Sequence, residues 1–309
     1  MFGRISAIAL NTYRESVRAR ILLGLAGVAF AVSIYSLIVG AYTLKNAPRV
    51  VSDLGTASIS IFSLAVAIII GATSLHRELE QKTLFPILAR PIRRGEYLVG
   101  KYLGTLLTIA VFVMADAGLV LMLGAGLAGR SIPMLLGGAL GWSALAGVVA
   151  WRVPAFRTYG PIPWAAGMLV LGSLFAQVAV DERQVVLVSC ALTLCEIGIV
   201  AALVTLFASF STPFLSSLFA LGIFIVGRNA DSLARLPVRT FGPLSQFFAA
   251  LAKVVPNLQV YVPPRPLMLG EVASVKLSAY LGMTSLMAVA WAFGLLAVAV
   301  LIFNKRDFL

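Results

Sequence analysis

The chain has 309 residues, 60% of them hydrophobic and 12% charged, with a formal net charge of +12 and a mean hydropathy of +0.99. Soluble domains carry roughly a quarter charged residues, so this composition excludes a soluble globular protein and makes the chain an integral membrane protein. Strand-period alternation is not found, which points to helices rather than a membrane barrel. The expectation is an all-α polytopic membrane protein forming a single domain over residues 1–309.

The first segment, "MFGRISAIALNTYRES", has its apolar run broken by Asn11, Arg14 and Glu15. A secretory signal needs an unbroken apolar core, so this stretch does not read as one. At 100° per residue, Arg4, Asn11, Arg14, Glu15 and Arg18 fall on one face of residues 2–18, and Phe2, Ile5, Ala9 and Tyr13 on the other. That pattern predicts an interfacial helix with its arginines at the headgroups; the plainer alternative is a basic flank to the first span.

A helix crosses the hydrocarbon core with about 20 apolar residues. Ile21–Thr43 and Leu54–Leu75 are free of charge, and Tyr102–Gly129 is apolar apart from Asp116. Ser131–Trp151 and Thr158–Val180 are thinner in apolar residues and predict an added hairpin, either spanning or re-entrant. Gln184–Gly227 contains one charge, Glu196, and is long enough for two spans; Pro213 at its midpoint marks the turn and starts the next helix. Leu277–Asn304 is the last span. Six of these segments form the expected core, and residues 131–180 add to it. Cys190 and Cys195 fall within one span, five residues apart, and read as packing thiols rather than a disulfide pair.

Between the last two spans, residues 228–276 form a long segment expected on the outer side, resting on the outer leaflet. Leu244, Phe247, Phe248 and Leu251 follow i, i+3, i+4, i+7 spacing, which predicts an amphipathic helix, and the proline-rich "VPNLQVYVPPRP" after it does not continue as helix. With the N-terminus inside, the short inner loops and termini hold fourteen basic residues, among them Arg14, Arg18, Arg93, Arg94, Lys101, Arg152 and Arg157. The short outer loops hold four, Lys45, Arg49, Arg130 and Arg183. Lysine and arginine in short loops set orientation, so both termini are expected in the cytoplasm, in the plasma (inner) membrane of the cell.

The longest polar stretch on that inner side is His76–Lys101, "HRELEQKTLFPILARPIRRGEYLVGK". Pro86 and Pro91 divide it into short pieces, and Leu84, Phe85, Ile87, Leu88 and Ile92 are apolar anchors among charges. Such a loop is either a docking element or a solvated basic connection. Its end, "GEYLVGKY", nearly matches the phosphate loop G-x-x-x-x-G-K-[ST]. However, Tyr102 stands where a hydroxyl should hold magnesium, "ARPIRR" precedes it instead of a strand, and no Walker-B pattern follows. This near-match is rejected as a nucleotide site.

The same stretch resembles the loop between the second and third spans of permeases in the type-2 ATP-binding-cassette exporter class. The resemblance rests on Glu78, Glu80, Thr83, Leu84, Ile87, Leu88, Pro91, Arg94, Tyr97, Gly100 and Lys101, with "VPNLQVY" and "NKRDFL" further along the chain. It implies a permease subunit with no catalytic site of its own and no cofactor or metal. Its partners would be a separate ATP-binding-cassette ATPase subunit and a second permease copy, identical or not, in the lipid bilayer. It further implies that Glu78 and Glu80 make charge-assisted contacts with the ATPase, that Thr83, Leu84, Phe85, Ile87, Leu88, Pro91 and Arg94 complete a coupling helix, and that Arg14, Arg18, Lys101 and Tyr102 mark the membrane boundary, Lys101 snorkelling to headgroups. The added hairpin at 131–180 departs from the six-span pattern of that class.

Asp116 and Glu196 are carboxylates within spans, where an ionised group costs about 2.5–3.5 kcal/mol on insertion scales. They read either as lining a translocation path or as satisfied structural groups, and no basic partner within the membrane is evident for them. A proton-coupled secondary transporter using both is the alternative function. The lone His76, without a cysteine, histidine or acidic cluster at metal spacing, argues against a zinc enzyme. The spacing Gly137-x-x-x-Gly141 permits helix contact, but with 27 glycines chance also produces it.

Overall fold

The computed structural model describes residues 2–43, 46–80, 93–235, 243–273 and 275–305. Among them every regular element is helical. In chain order these are α1 (Phe2–Arg18), α2 (Arg20–Ala41), α3 (Ala47–Glu80), α4 (Arg94–Leu127), α5 (Ile132–Arg152), the single turn α6 (Phe156–Tyr159), α7 (Pro161–Phe175), α8 (Val180–Ala208), α9 (Pro213–Arg228), the short α10 (Ala230–Ala234), α11 (Pro243–Val254), the short α12 (Arg265–Met268) and α13 (Leu277–Lys305). The chain is an all-α polytopic membrane protein, as its composition requires.

Seven of the described helices are long and apolar enough to cross a bilayer: α2, α3, α4, α5, α7 with the turn after it, α8 and α13. The 131–180 region therefore contains two span-length helices. α9 has 16 residues, a length of about 24 Å against a hydrocarbon core of about 30 Å. It begins where the sequence placed the break: Pro213 is its first residue, and the Thr212 hydroxyl accepts from the Leu215 N–H at 3.5 Å. By contrast α3 and α4 have 34 residues each, or about 51 Å, well beyond what a crossing needs. α4 ends in a left-handed Gly129 (φ 97°), and the Arg130 N–H returns to the Ala125 carbonyl at 3.0 Å. That six-to-one closure turns the chain back into α5.

The helices group into two compact units. One comprises residues 1–8, 67–102 and 195–309, the other residues 9–66 and 103–194. The first is centred on Tyr97, Leu98, Ala208, Ala299 and Phe303, with Ile8, Leu206 and Val300 packed around them. Gly71 permits α3 to lie against α8, since a Cβ there would stand 2.7 Å from Val204 Cγ1. In the same unit the segment after α11 is buried rather than spread over the surface. The Leu258 N–H donates to the Gly227 carbonyl at 3.0 Å, and the Tyr261 hydroxyl donates to the Thr284 carbonyl at 3.1 Å. Leu258 and Tyr261 are both buried. The amphipathic helix expected around Leu244–Leu251 is α11, whose Phe247 is exposed.

The second unit has a core of Tyr13, Val111, Ala115 and Ala165, flanked by Val17, Phe30, Leu107 and Trp164. Its hairpin, α5 against α7, is clamped by two tryptophans. Trp142 Nε1 donates to the Trp164 carbonyl at 3.0 Å and Trp164 Nε1 to Ser143 Oγ at 3.1 Å. Each buried indole N–H is thus satisfied by the opposite helix. The hairpin docks on α4 through glycines: a Cβ on Gly118 would stand 2.5 Å from the Met168 carbonyl oxygen, and one on Gly172 2.5 Å from the Gly118 carbonyl oxygen. Gly137 and Gly141 meet nothing within 4 Å, so the G-x-x-x-G spacing is not used within the chain.

α1 has the expected two faces. Arg4, Asn11, Arg14 and Arg18 are exposed, while Thr12, Tyr13 and Ser16 are buried. Its inner face rests on protein: in one unit Gly100 would place a Cβ 2.7 Å from Ile8 Cβ, and in the other Gly104 would place one 2.5 Å from the Ala9 carbonyl oxygen. Cys190 and Cys195 are free thiols on α8, Cys190 buried and Cys195 half-buried.

Candidate functional site

The segment His76–Lys101 enters and leaves through the two long helices. Glu78 and Glu80 occupy the last turn of α3, and their side chains lie outside the described residues, as do Thr83, Leu84, Phe85, Ile87, Leu88 and Pro91 entirely. What the structure defines is the base on which this segment stands.

α4 begins at Arg94, and the whole of "GEYLVGKY", Gly95–Tyr102, is helical. A phosphate loop needs its amides free to turn inward on an anion, and here the amides from Tyr97 onward are committed to a helix. Glu96, three residues into the helix, accepts from the Arg93 N–H at 3.4 Å. This is the acidic half of a capping box and it also favours the positive end of the helix. The Arg4 guanidinium of α1 lies 4.0 Å from the same carboxylate, so the helix start is tied to the N-terminal segment.

Arg94 reaches the far end of the chain. Its Nη1 donates to the Phe303 carbonyl at 3.3 Å and to the Asn304 carbonyl at 3.2 Å. These are among the last carbonyls of α13, which lack helical partners and carry the negative end of its dipole. One turn on, the Tyr97 ring stacks on Phe303 with centroids 6.4 Å apart. Lys101 is buried, and its Nζ donates to Ser74 Oγ of α3 at 2.9 Å, with the Tyr97 ring 5.9 Å away. The hydrogen bond and the aromatic face offset the desolvation of its charge.

Two expectations change accordingly. Lys101 does not snorkel outward; its ammonium cross-links α3 to α4. Gly100 is the point where α1 approaches α4 too closely for a side chain. Tyr102 is buried and its hydroxyl donates to the Gly198 carbonyl of α8 at 3.3 Å. Arg14 and Arg18 are exposed on α1. The base thus joins α1, α3, α4, α8 and α13 within one unit. Glu96 and Ser74 were not singled out in the sequence; the glutamate three residues after the helix start is a recognisable capping signal, whereas the serine has none.

Each of the two intramembrane carboxylates has one hydrogen-bond partner inside its own unit, and Asp116 Oδ2 is buried with none among the described residues. Asp116 is fully buried, and Ser33 Oγ of α2 donates to its Oδ1 at 2.9 Å. Glu196 is also buried and, contrary to expectation, has a basic partner: Arg228 Nη1 donates to its Oε1 at 2.6 Å. Arg228 closes α9, and because that helix is short, its last residue meets the middle of α8 rather than the aqueous loop. The Arg228 guanidinium also sits 5.5 Å from the centre of the Phe224 ring.

No curated protein matches the chain significantly. A family model described as ABC-2 family transporter protein matches residues 6–308. The chain belongs to the ABC-2 transporter family, as a multi-pass membrane permease component that has no catalytic role of its own.

Proposed function

We propose that the chain is the permease subunit of an exporter, a single membrane domain over residues 1–309 driven by a separate ATP-binding-cassette ATPase. The observation that carries this reading is the braced base of the 76–101 segment. α3 and α4 are held to each other by Lys101–Ser74, to α13 by Arg94 and to α1 by Arg4–Glu96, so a push on the segment between them moves several helices together. Glu78 and Glu80 would face basic residues of the ATPase, Leu84, Phe85, Ile87 and Leu88 would fill its apolar cleft, and Thr83 and Pro91 would shape the turn. Two permease copies, identical or sister chains, would enclose the path and alternate between inward- and outward-facing states as the ATPase subunits close and open. The positive-inside distribution supports cytoplasmic termini in the plasma (inner) membrane, with Arg14 and Arg18 at the inner headgroups. Same-side termini call for an eighth crossing, which α9 and the buried segment after it would complete.

The proton-coupled alternative has less support, since Asp116 and Glu196 each already have a partner in the protein. They remain our candidates for groups along the path. Asp116→Asn and Glu196→Gln with unchanged transport would remove them from it.

The test is to purify the chain together with a co-expressed candidate ATP-binding-cassette ATPase from the same cell. We expect the pair to co-purify, and Glu78→Lys with Glu80→Lys to abolish both co-purification and permease-dependent stimulation of ATP hydrolysis. Arg94→Ala with Lys101→Met is expected to retain the ATPase but lose the stimulation. Failure of the wild-type pair to associate would overturn the reading.

A further inference from the structure

The second unit contains a cavity of about 430 Å³, within the roughly 300–1,000 Å³ range of small-molecule sites. Its walls come from α1, α2, α4 and the α5–α7 hairpin and are apolar over most of their area, with Phe30, Val111, Phe112 and Ala146 among them. The polar groups it meets can be accounted for one by one. Thr108 Oγ1 donates to the Gly104 carbonyl at 2.9 Å, Trp164 Nε1 to Ser143 Oγ at 3.1 Å, and Arg157 Nε to the Ala150 carbonyl at 3.1 Å. The hydroxyl of Tyr13 is the exception. Tyr13 is 0% exposed and lines the cavity, yet its hydroxyl has no hydrogen-bond partner among the described residues. A buried donor left so costs about 1–3 kcal/mol. Burial pushes its phenol up to about 12, so it is a neutral donor throughout the physiological range.

The charge around the cavity is mainly positive. Arg157 lines it and is exposed, its Nε bond leaving the terminal nitrogens for an outside acceptor. Arg14 and Arg18 flank the lining residues of α1, and Arg152 follows Ala150 at the end of α5; Glu15 is the only acidic residue in these stretches. An apolar interior and a guanidinium at its edge together describe an amphiphile with an anionic head. We propose that the cavity binds one anionic phospholipid from the leaflet on which α1 lies, with an acyl chain inside and the phosphate on Arg157. The hairpin that departs from the six-span pattern would then serve as one wall of a lipid site. This role is independent of what drives transport.

The experiment is native mass spectrometry of the full chain with added phosphatidylglycerol or phosphatidylcholine of matched acyl chains. One phosphatidylglycerol is expected to survive activation that strips all other lipid. A Cβ on Gly147 meets nothing within 4 Å and Gly147 lines the cavity, so Gly147→Leu fills it from inside and should lose both lipids. Gly282→Leu in α13, equally open, is the control and should lose neither. Arg157→Gln should cut phosphatidylglycerol retention about tenfold, the effect of one charge-assisted hydrogen bond, and bring the two lipids level. Because Arg157 is exposed, that variant decides the question alone if Gly147→Leu does not fold. Equal retention of both lipids by the wild type, or unchanged retention in Arg157→Gln, would overturn the proposal.

Discussion

Glu196 and Arg228 illustrate how a charge is carried within a helical membrane protein. Neither group is free to ionise alone in a low-dielectric setting, and at 2.6 Å each provides the other's counter-charge. Removing one partner leaves the other buried without compensation, which costs about 3–5 kcal/mol for well-buried pairs. Arg228→Met is therefore expected to lower thermal stability in detergent markedly, while Glu196→Gln added to it recovers most of the loss. Equal losses in the single and double variants would mean that the pair is not a coupled unit. The carboxylate was evident from the sequence as a lone acid in a span. Its partner was not, because Arg228 looks like the first residue of a polar loop; that α9 stops after 16 residues is decided by the packing of Gly227 against Pro256 and Leu258.

At the scale of elements, the contacts that decide helix packing are glycines without a sequence signature. Gly118 and Gly172 lie in stretches of ordinary small residues, and what singles them out is that the backbones of α4 and α7 pass where a Cβ would be. Gly118→Ala should destabilise the protein by about 1–3 kcal/mol through overpacking. Gly137→Ala should be neutral or stabilising by up to about 1 kcal/mol from helix propensity, since its Cβ enters open space. Thermal unfolding of the two variants separates these outcomes, and a reversal of their order would contradict the packing described. Element existence was well marked in the sequence, because apolar runs of span length have few other uses. Element ends were less so: charge patterning put the start of the third span at Tyr102, whereas the helix starts at Arg94, since Glu96 caps it and α1 covers residues that would otherwise face water.

For the whole molecule, the sequence supplied membrane class, helical architecture and family resemblance, and the structure adds how the 76–101 segment is mounted. The phosphate-loop look-alike "GEYLVGKY" is one helical turn after another, and its Lys101 holds α3 to α4 instead of holding a nucleotide. If this mounting transmits work from a partner, transport must follow the partner's ATP cycle. The direct measurement is transport in proteoliposomes holding the chain with its ATPase, driven either by ATP without a proton gradient or by a proton gradient without ATP, using a substrate found by its stimulation of ATP hydrolysis. The account expects transport with ATP alone and its loss with Glu78→Lys and Glu80→Lys. Transport driven by the proton gradient alone, unaffected by those substitutions, would contradict it.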